Sequence, residues 1–117
     1  MNDDDRRAAQ RIARSFLVRY HAQEGQGMAW DTAPLRDFSE TGARFLAQSA
    51  CQQGDALILQ LILPMSREPV WVTARVVWVK PVQWEMQELG VAFEPGDDQT
   101  KQAIAAAAAF FQKRQGH

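Results

Sequence analysis

The sequence predicts an all-β domain, a six-stranded antiparallel β-barrel of split-barrel type followed by one C-terminal α-helix. Two observations lead to this fold class. Six short segments alternate apolar and polar residues, and turn residues rather than helices separate them. The only stretch with helical periodicity comes at the end of the chain. With 117 residues, of which 46% are hydrophobic, the chain is long enough to bury the core of one domain.

The first three predicted strands carry apolar residues at every second position. In the first strand Phe16, Val18 and Tyr20 share one face. In the second, Pro34 removes a backbone donor, which predicts an edge strand or a bulge. Two glycines mark the turn between these strands, and the third strand follows a second turn. We predict these strands at residues 15–20, 28–38 and 43–47.

The last three predicted strands are the most apolar part of the chain. Four leucines share one face of the fourth strand. In the fifth, Trp78 falls on the same face as Val76, a position at which a tryptophan is usually in the core. Gly90 predicts a bulge in the sixth strand. We predict these strands at residues 56–63, 70–79 and 86–94.

The C-terminal segment predicts an amphipathic helix. It starts with two acidic residues and ends with basic ones, as the helix dipole favours. Four residues form a narrow apolar stripe at helical spacing: Ile104, Ala107, Ala108 and Phe111. We expect this stripe to close an open end of the barrel, although a role in a dimer contact is the alternative.

Charge and composition limit the partners and the compartment. The formal net charge is −1, which argues against general binding to DNA or RNA. Five of the 13 basic residues nevertheless lie near the N-terminus, which suits one small anionic ligand or, alternatively, a solvated tail. The single cysteine, Cys51, fits a reducing cytosol. We see no signal peptide and no apolar run long enough for membrane insertion, and therefore expect a cytoplasmic protein.

Two short motifs stand out, and each has a plain structural explanation. Arg7 and Arg11 form an R-x-x-x-R spacing within the basic N-terminal segment. Asp37, Ser39 and Gly42 form D-x-S-x-x-G where two predicted strands meet. Asp and Ser side chains hold turns, and Gly42 could adopt a positive φ, so the second motif alone indicates a hairpin corner.

Both motifs together, in this order and about thirty residues apart, resemble the PilZ domain family. That family consists of small β-barrels that bind cyclic di-GMP, a bacterial second messenger. Residues 74–78 and 89–93 also look like its last two strands, so the resemblance covers nearly the whole chain. It implies that Arg7 and Arg11 clamp the ligand and that Arg6 contacts a second, stacked ligand molecule. It implies a base pocket built from Asp37, Ser39 and Gly42, and Trp78 is a further candidate, as a ring on which a guanine could stack.

These residue types suit the chemistry of a cyclic dinucleotide. An arginine fork bonds phosphate oxygens in pairs and also matches the O6 and N7 acceptors of guanine. An ionised aspartate accepts hydrogen bonds and can face the N1–H and N2–H₂ donors of guanine. We find no metal spacing, catalytic triad or phosphate-binding loop, and therefore expect neither an enzyme nor a cofactor.

We therefore expect one domain at 1–117, with an arginine-bearing arm at 1–11, the barrel at 12–96 and the helix at 97–114. It would be a monomer or weak dimer that passes the signal to a protein partner when cyclic di-GMP orders the arm. The first alternative is a PilZ-type interaction module that regulates pilus or flagellar machinery without nucleotide. The second is a barrel that binds single-stranded RNA on aromatic side chains, which the net charge disfavours.

Overall fold

The computed structural model describes residues 16–22, 30–48, 51–83 and 85–115, and these form a closed antiparallel barrel and one helix. Around the barrel the strands follow the order β1-β2-β3-β6-β5-β4. The predicted fold class is confirmed. The elements are β1 (Leu17–Ala22), β2 (Asp31–Phe38), β3 (Gly42–Ala47), β4 (Ala56–Ile62), β5 (Val70–Pro81), β6 (Gln87–Glu94) and α1 (Asp98–Gln115).

The barrel interior is filled by the alternating apolar residues of all six strands. Val18, Phe45, Leu59 and Leu89, from four different strands, are completely buried. The leucines of β4 all face inward, as the alternation predicts. Because the barrel interior is a packed core, any ligand has to bind to its outer wall or to its ends.

Helix α1 closes one end of the barrel with the predicted apolar stripe, whose four residues are all buried. The ring of Phe111 contacts Phe16 at a centroid distance of 4.9 Å and Phe38 at 6.1 Å. Asp97 caps the helix because its carboxylate accepts a hydrogen bond from the Thr100 amide at 2.7 Å. This bond lowers the pKa of Asp97. The helix is thus fixed to the barrel through aromatic contacts near the β2–β3 hairpin.

Two bulges correct the expectations for β2, β5 and β6. The register of β2 shifts between Leu35 and Asp37, so the irregularity follows Pro34, and β2 pairs on both sides rather than forming an edge. The register of β5 shifts between Val76 and Trp78, opposite Gly90, so the bulge predicted at Gly90 lies on the partner strand. Each bulge adds one residue and reverses the alternation of faces beyond it.

The buried tyrosine of β1 makes the stability of the barrel depend on pH in the alkaline range. Tyr20 packs on Phe45 and accepts a hydrogen bond from the Gln48 amide, and burial raises its pKa to about 12. The folded state therefore holds its phenolic proton more tightly than the unfolded chain does. The contribution of Tyr20 to stability is complete below pH 10 and is lost as the pH rises towards 12.

We expect the free energy of unfolding to fall by up to roughly 2 kcal/mol through the titration of Tyr20 between pH 10 and 12. Tyr20→Phe should remove that part of the decrease, as measured by urea unfolding at several pH values. The same alkaline slope in wild type and Tyr20→Phe would contradict the assignment.

Candidate ligand-binding site

The D-x-S-x-x-G motif forms the hairpin between β2 and β3. The Ser39 amide donates to the Gly42 carbonyl at 2.8 Å, which places Glu40 and Thr41 at the tip of a two-residue turn. The Ser39 hydroxyl accepts hydrogen bonds from the amides of Thr41 and Gly42 at 3.3 and 3.2 Å. The Ser39 side chain therefore stabilises the turn, because its hydroxyl is hydrogen-bonded to the backbone of the same hairpin.

The role expected of Gly42 needs a correction. Among the glycines that the structure describes, only Gly54 has a positive φ, at 96°. Gly42 instead pairs with Ala92 of β6, and a Cβ atom at Gly42 would overlap the carbonyl oxygen of Val91. The residue is needed because the two backbones come too close for any side chain, not because of a left-handed conformation.

Four motif and strand residues form one row across the outer wall of the barrel. Asp37 of β2 pairs with Arg44 of β3, Arg44 pairs with Gly90 of β6, and Gly90 pairs with Trp78 of β5. Directly paired residues present their side chains on the same face of a sheet. We call the outer surface of β3 and β6, with the flanking parts of β2 and β5, the nucleotide wall, after the ligand that the sequence resemblance implies. The row places a motif residue, Asp37, on the same wall as Trp78.

Trp78 faces outward, contrary to the core position that the alternation predicted. The bulge in β5 places Val77 and Trp78 on the outside in succession, and Trp78 is 40% exposed. Its indole lies over Gly90, where an added Cβ would overlap the ring. Because Gly90 has no side chain, the ring can lie flat against the backbone and offer its other face to a ligand.

The bulge in β2 turns Asp37 outward, beside a further arginine of the same wall, Arg36. Arg36 and Asp37 are both exposed although they are consecutive, because the bulge interrupts the alternation. Arg36 and Arg44 share one carboxylate, that of the nearly buried Glu88, at 3.5 and 3.6 Å. The sequence motifs did not indicate Arg36 or Glu88. Arg36 and Arg44 together exceed Glu88 by one positive charge, and the exposed carboxylate of Asp37, which pairs with Arg44, lies next to them.

Asp37 itself remains accessible. Its Oδ1 accepts a hydrogen bond from the Phe38 amide at 3.0 Å, and the residue is exposed. The carboxylate is therefore held in place by the backbone while it faces outward. Such a group can accept hydrogen bonds from a ligand.

A groove of about 340 Å³ separates the hairpin from helix α1. One side is the turn formed by Ser39, Glu40 and Thr41, and the other is formed by alanines of α1 and Gln112. The small side chains of the helix leave this space open beside the hairpin. A ligand on the hairpin would thus lie close to α1.

The structure does not locate every predicted site residue. Arg6, Arg7 and Arg11 lie outside the described residues. Asp37 and Trp78 lie in one row, and Ser39 and Gly42 form the adjoining hairpin. In the described part of the chain, no group of His, Cys, Asp and Glu is arranged to hold a metal ion. No described helix has both the length and the apolar character required to cross a membrane.

The chemistry of the nucleotide wall suits a flat, anionic ligand with hydrogen-bond donors. An exposed indole offers a stacking surface, two arginines offer charged donors, and one carboxylate offers acceptors. All of these groups rest on strands of a closed barrel, which holds them in fixed positions.

Comparisons with known proteins agree with this fold. The profile of the PilZ domain family matches residues 5–110. The chain is similar in structure to Bacillus subtilis MotI/DgrA, an inhibitor of motility, with a TM-score of 0.66 and 15% identity over 86% of this chain and 48% of that one. It is also similar to apo MrkH of K. pneumonia, with a TM-score of 0.60 and 12% identity over 86% of this chain and 49% of that one. The chain thus spans about half the length of these proteins. No curated protein is similar enough in sequence to count as a relative.

Proposed function

The chain belongs to the PilZ domain family, and we propose that it is a receptor domain that binds cyclic di-GMP on the nucleotide wall. The observation that supports this function is the row Asp37–Arg44–Gly90–Trp78, which places a family motif residue next to a cation and, further along the same wall, an exposed indole. The identity of the ligand is inferred from the family resemblance, and the residues of the row have side chains that suit it chemically. PilZ domains act as receptor modules, so we assign no catalytic step to the wall.

Each group on the wall has a chemical role in this proposal. Trp78 stacks on one guanine, and the carboxylate of Asp37 accepts from the N1–H and N2–H₂ donors of a guanine. Arg44 and Arg36 contribute positive charge next to the phosphates. Gly42 and Ser39 keep the hairpin in the shape that exposes Asp37.

The N-terminal arginines complete the proposed site. Arg7 and Arg11 clamp the phosphates and a guanine edge, and Arg6 contacts a second, stacked ligand molecule. Binding orders the arm at 1–11 over the wall and so changes the surface available to a protein partner. Ordering costs about 1–2 kcal/mol for each residue fixed, so several charge-assisted hydrogen bonds are needed to offset it. The domain would act in the bacterial cytosol, as a monomer or weak dimer.

Isothermal titration tests the proposed function directly. Cyclic di-GMP should bind with a measurable heat, whereas GTP and a short single-stranded RNA should not bind at the same concentrations. A second ligand molecule per chain should be lost in Arg6→Ala. No binding of cyclic di-GMP, with a folded protein, would favour the nucleotide-independent interaction module. Preferential binding of the RNA would favour a single-stranded RNA receptor.

The variant Asp37→Ala distinguishes a role of Asp37 in ligand binding from a role in stabilising the turn. We expect affinity for cyclic di-GMP to fall by about 1.5–3 kcal/mol, because hydrogen bonds to a charged acceptor are lost. The free energy of unfolding should fall by no more than about 1 kcal/mol, since one exposed backbone hydrogen bond is removed. Titration and urea unfolding measure the two effects.

Asp55→Ala is the matched control for Asp37. The Asp55 carboxylate also accepts from a backbone amide, that of Gln52 at 2.8 Å, in the turn before β4. This variant should show a similar loss of stability with wild-type affinity. If Asp37→Ala behaves in the same way as Asp55→Ala, Asp37 is a turn residue only.

A further inference from the structure

A second row of side chains crosses the barrel on the wall opposite the nucleotide wall. Thr32 of β2 pairs with Arg19 of β1, Arg19 pairs with Gln60 of β4, and Gln60 pairs with Trp71 of β5. In the closed order of six strands, β1 lies opposite β6 and β4 lies opposite β3. We call the surface formed by Arg19, His21, Trp30 and Trp71 the tryptophan face. It shares none of its residues with the proposed nucleotide site.

Three aromatic rings on this face are held against one another. Trp30 contacts Trp71 edge to face, with centroids 5.7 Å apart, and contacts His21 at 4.2 Å. Trp71 is nevertheless 57% exposed, more than any other large hydrophobic residue in the described part of the chain. An indole that is fixed by its neighbours yet exposed loses little conformational entropy when a partner covers it.

Arg19 is a fixed cation at the centre of the face. Its guanidinium donates to Oε1 of Gln60 at 3.1 Å and lies over the ring of Trp30 at 5.4 Å. Gln60 is itself buried, so it holds the guanidinium from below. Within the described ranges, no carboxylate forms an ion pair with Arg19, whereas Arg36, Arg44 and Arg75 each have one. An arginine that its described neighbours hold only through neutral groups is suited to receive an external carboxylate.

We propose that the tryptophan face docks a segment of a partner protein that presents a carboxylate to Arg19 and a large apolar side chain to Trp71. Tryptophan and arginine are the residue types that most often dominate protein interfaces. Because the barrel is closed, the partner cannot add a strand and has to be recognised through side chains. At the edge of the face Trp30 and Thr32 also line a cavity of about 280 Å³, together with Asp31.

The same residues argue against a nucleic-acid ligand on this face. A single-stranded nucleic acid needs a path of positive charge along its backbone as well as stacking rings. The tryptophan face has one arginine, and the formal net charge of the chain is −1. A face with one cation beside two indoles is instead complementary to a protein segment with one acidic residue beside an apolar residue.

The proposal goes beyond nucleotide binding and does not depend on it. The two walls lie on opposite sides of the barrel, so a partner segment and a nucleotide can be bound at the same time. Strand β5 carries Trp71 on one wall and Trp78 on the other. These two tryptophans therefore provide a matched pair of variants.

The test uses the full chain and a display library of random 16-residue peptides. Wild-type protein should enrich peptides that carry Asp or Glu within four residues of Leu, Phe or Trp. For a selected, fluorescently labelled peptide, Trp71→Ser and Arg19→Gln should each weaken binding at least tenfold. Trp78→Ser should bind the peptide as wild type does. Titration with cyclic di-GMP should show the reverse pattern, with affinity reduced in Trp78→Ser and unchanged in Trp71→Ser.

Several results would overturn the proposal while leaving nucleotide binding intact. These are failure to enrich any peptide, enrichment of basic peptides, and peptide binding that Trp71→Ser or Arg19→Gln leaves unchanged. Binding of a labelled oligouridine that is lost in Trp71→Ser would assign the face to nucleic acid instead. A concentration-dependent dimer by sedimentation, lost in Trp71→Ser, would assign it to a second copy of this chain.

Discussion

Replacing Gly42 by alanine should lower the free energy of unfolding by about 3 kcal/mol, at the upper end of the range for overpacked sites. The reason is the close approach of β3 and β6, which places a new Cβ atom against the carbonyl oxygen of Val91. A backbone oxygen cannot move away as a flexible side chain can. The hairpin and the paired strand would therefore have to separate. Gly42→Val should be worse and should leave little folded protein.

Two other glycines separate this steric effect from backbone strain and from the general effect of replacing a glycine by alanine. Gly54→Ala adds a side chain where φ is 96° but no atom lies within 4 Å, and should cost about 1 kcal/mol. Gly96→Ala has neither problem and should change stability by less than about 0.5 kcal/mol. Urea unfolding of the three alanine variants measures the loss of stability in each and ranks the three losses. If Gly42→Ala is no worse than Gly54→Ala, the close approach is not what requires a glycine at Gly42.

Local patterns in the sequence were sufficient to predict the strands and the helix stripe. Alternation identifies the inward face of β1, β3 and β4 because each of these strands keeps one register along its length. The helical stripe through Phe111 is equally local, and its four residues are all buried. In an element that keeps a single periodicity along its length, the sequence pattern therefore predicts which side chains are buried.

The same reasoning fails at the bulges, and the bulges shape the nucleotide wall. The sequence around Val77 contains no glycine or proline that would indicate an extra residue. Alternation alone therefore favours the core for Trp78, although the shifted register turns it outward, where the stacking role predicted for it needs it to be. The bulge in β2 likewise turns Asp37 outward beside Arg36, where alternation from Leu35 alone would point it inward. Register depends on pairing with a distant strand, which no local pattern contains.

At Gly42 the motif identified the right residue, but the reason predicted for the glycine differs from the one that the structure shows. The motif located the residue correctly, and the prediction of a positive φ was wrong because the restriction comes from β6, about fifty residues later in the chain. The tryptophan face has a similar origin. Arg19 and Gln60 are 41 residues apart and meet only when β1 pairs with β4. A single sequence shows which residues are unusual, and the fold shows what they contact.

Arg7→Ala and Arg11→Ala should each weaken the binding of cyclic di-GMP by about 1.5–3 kcal/mol, roughly 10- to 150-fold. Each variant removes the fork that bonds a phosphate or a guanine edge and leaves those ligand groups without their partner. The wall groups described above remain, so residual binding through Trp78 and Asp37 is expected. Stability should change little, because the described core is complete without these residues. Titration and thermal unfolding of the same samples measure both quantities.

Arg14→Ala is the control, since it removes one positive charge from the same basic segment but lies outside the R-x-x-x-R spacing. If Arg7 and Arg11 act only by long-range attraction, all three variants should lose affinity equally, and 0.5 M salt should abolish the differences. If they form bidentate contacts, Arg14→Ala should cost less than about threefold, because long-range attraction alone is weak in salt. The losses in Arg7→Ala and Arg11→Ala should then persist at high salt, since desolvated contacts resist screening. Wild-type affinity in both Arg7→Ala and Arg11→Ala would refute the clamp while leaving the nucleotide wall as the site.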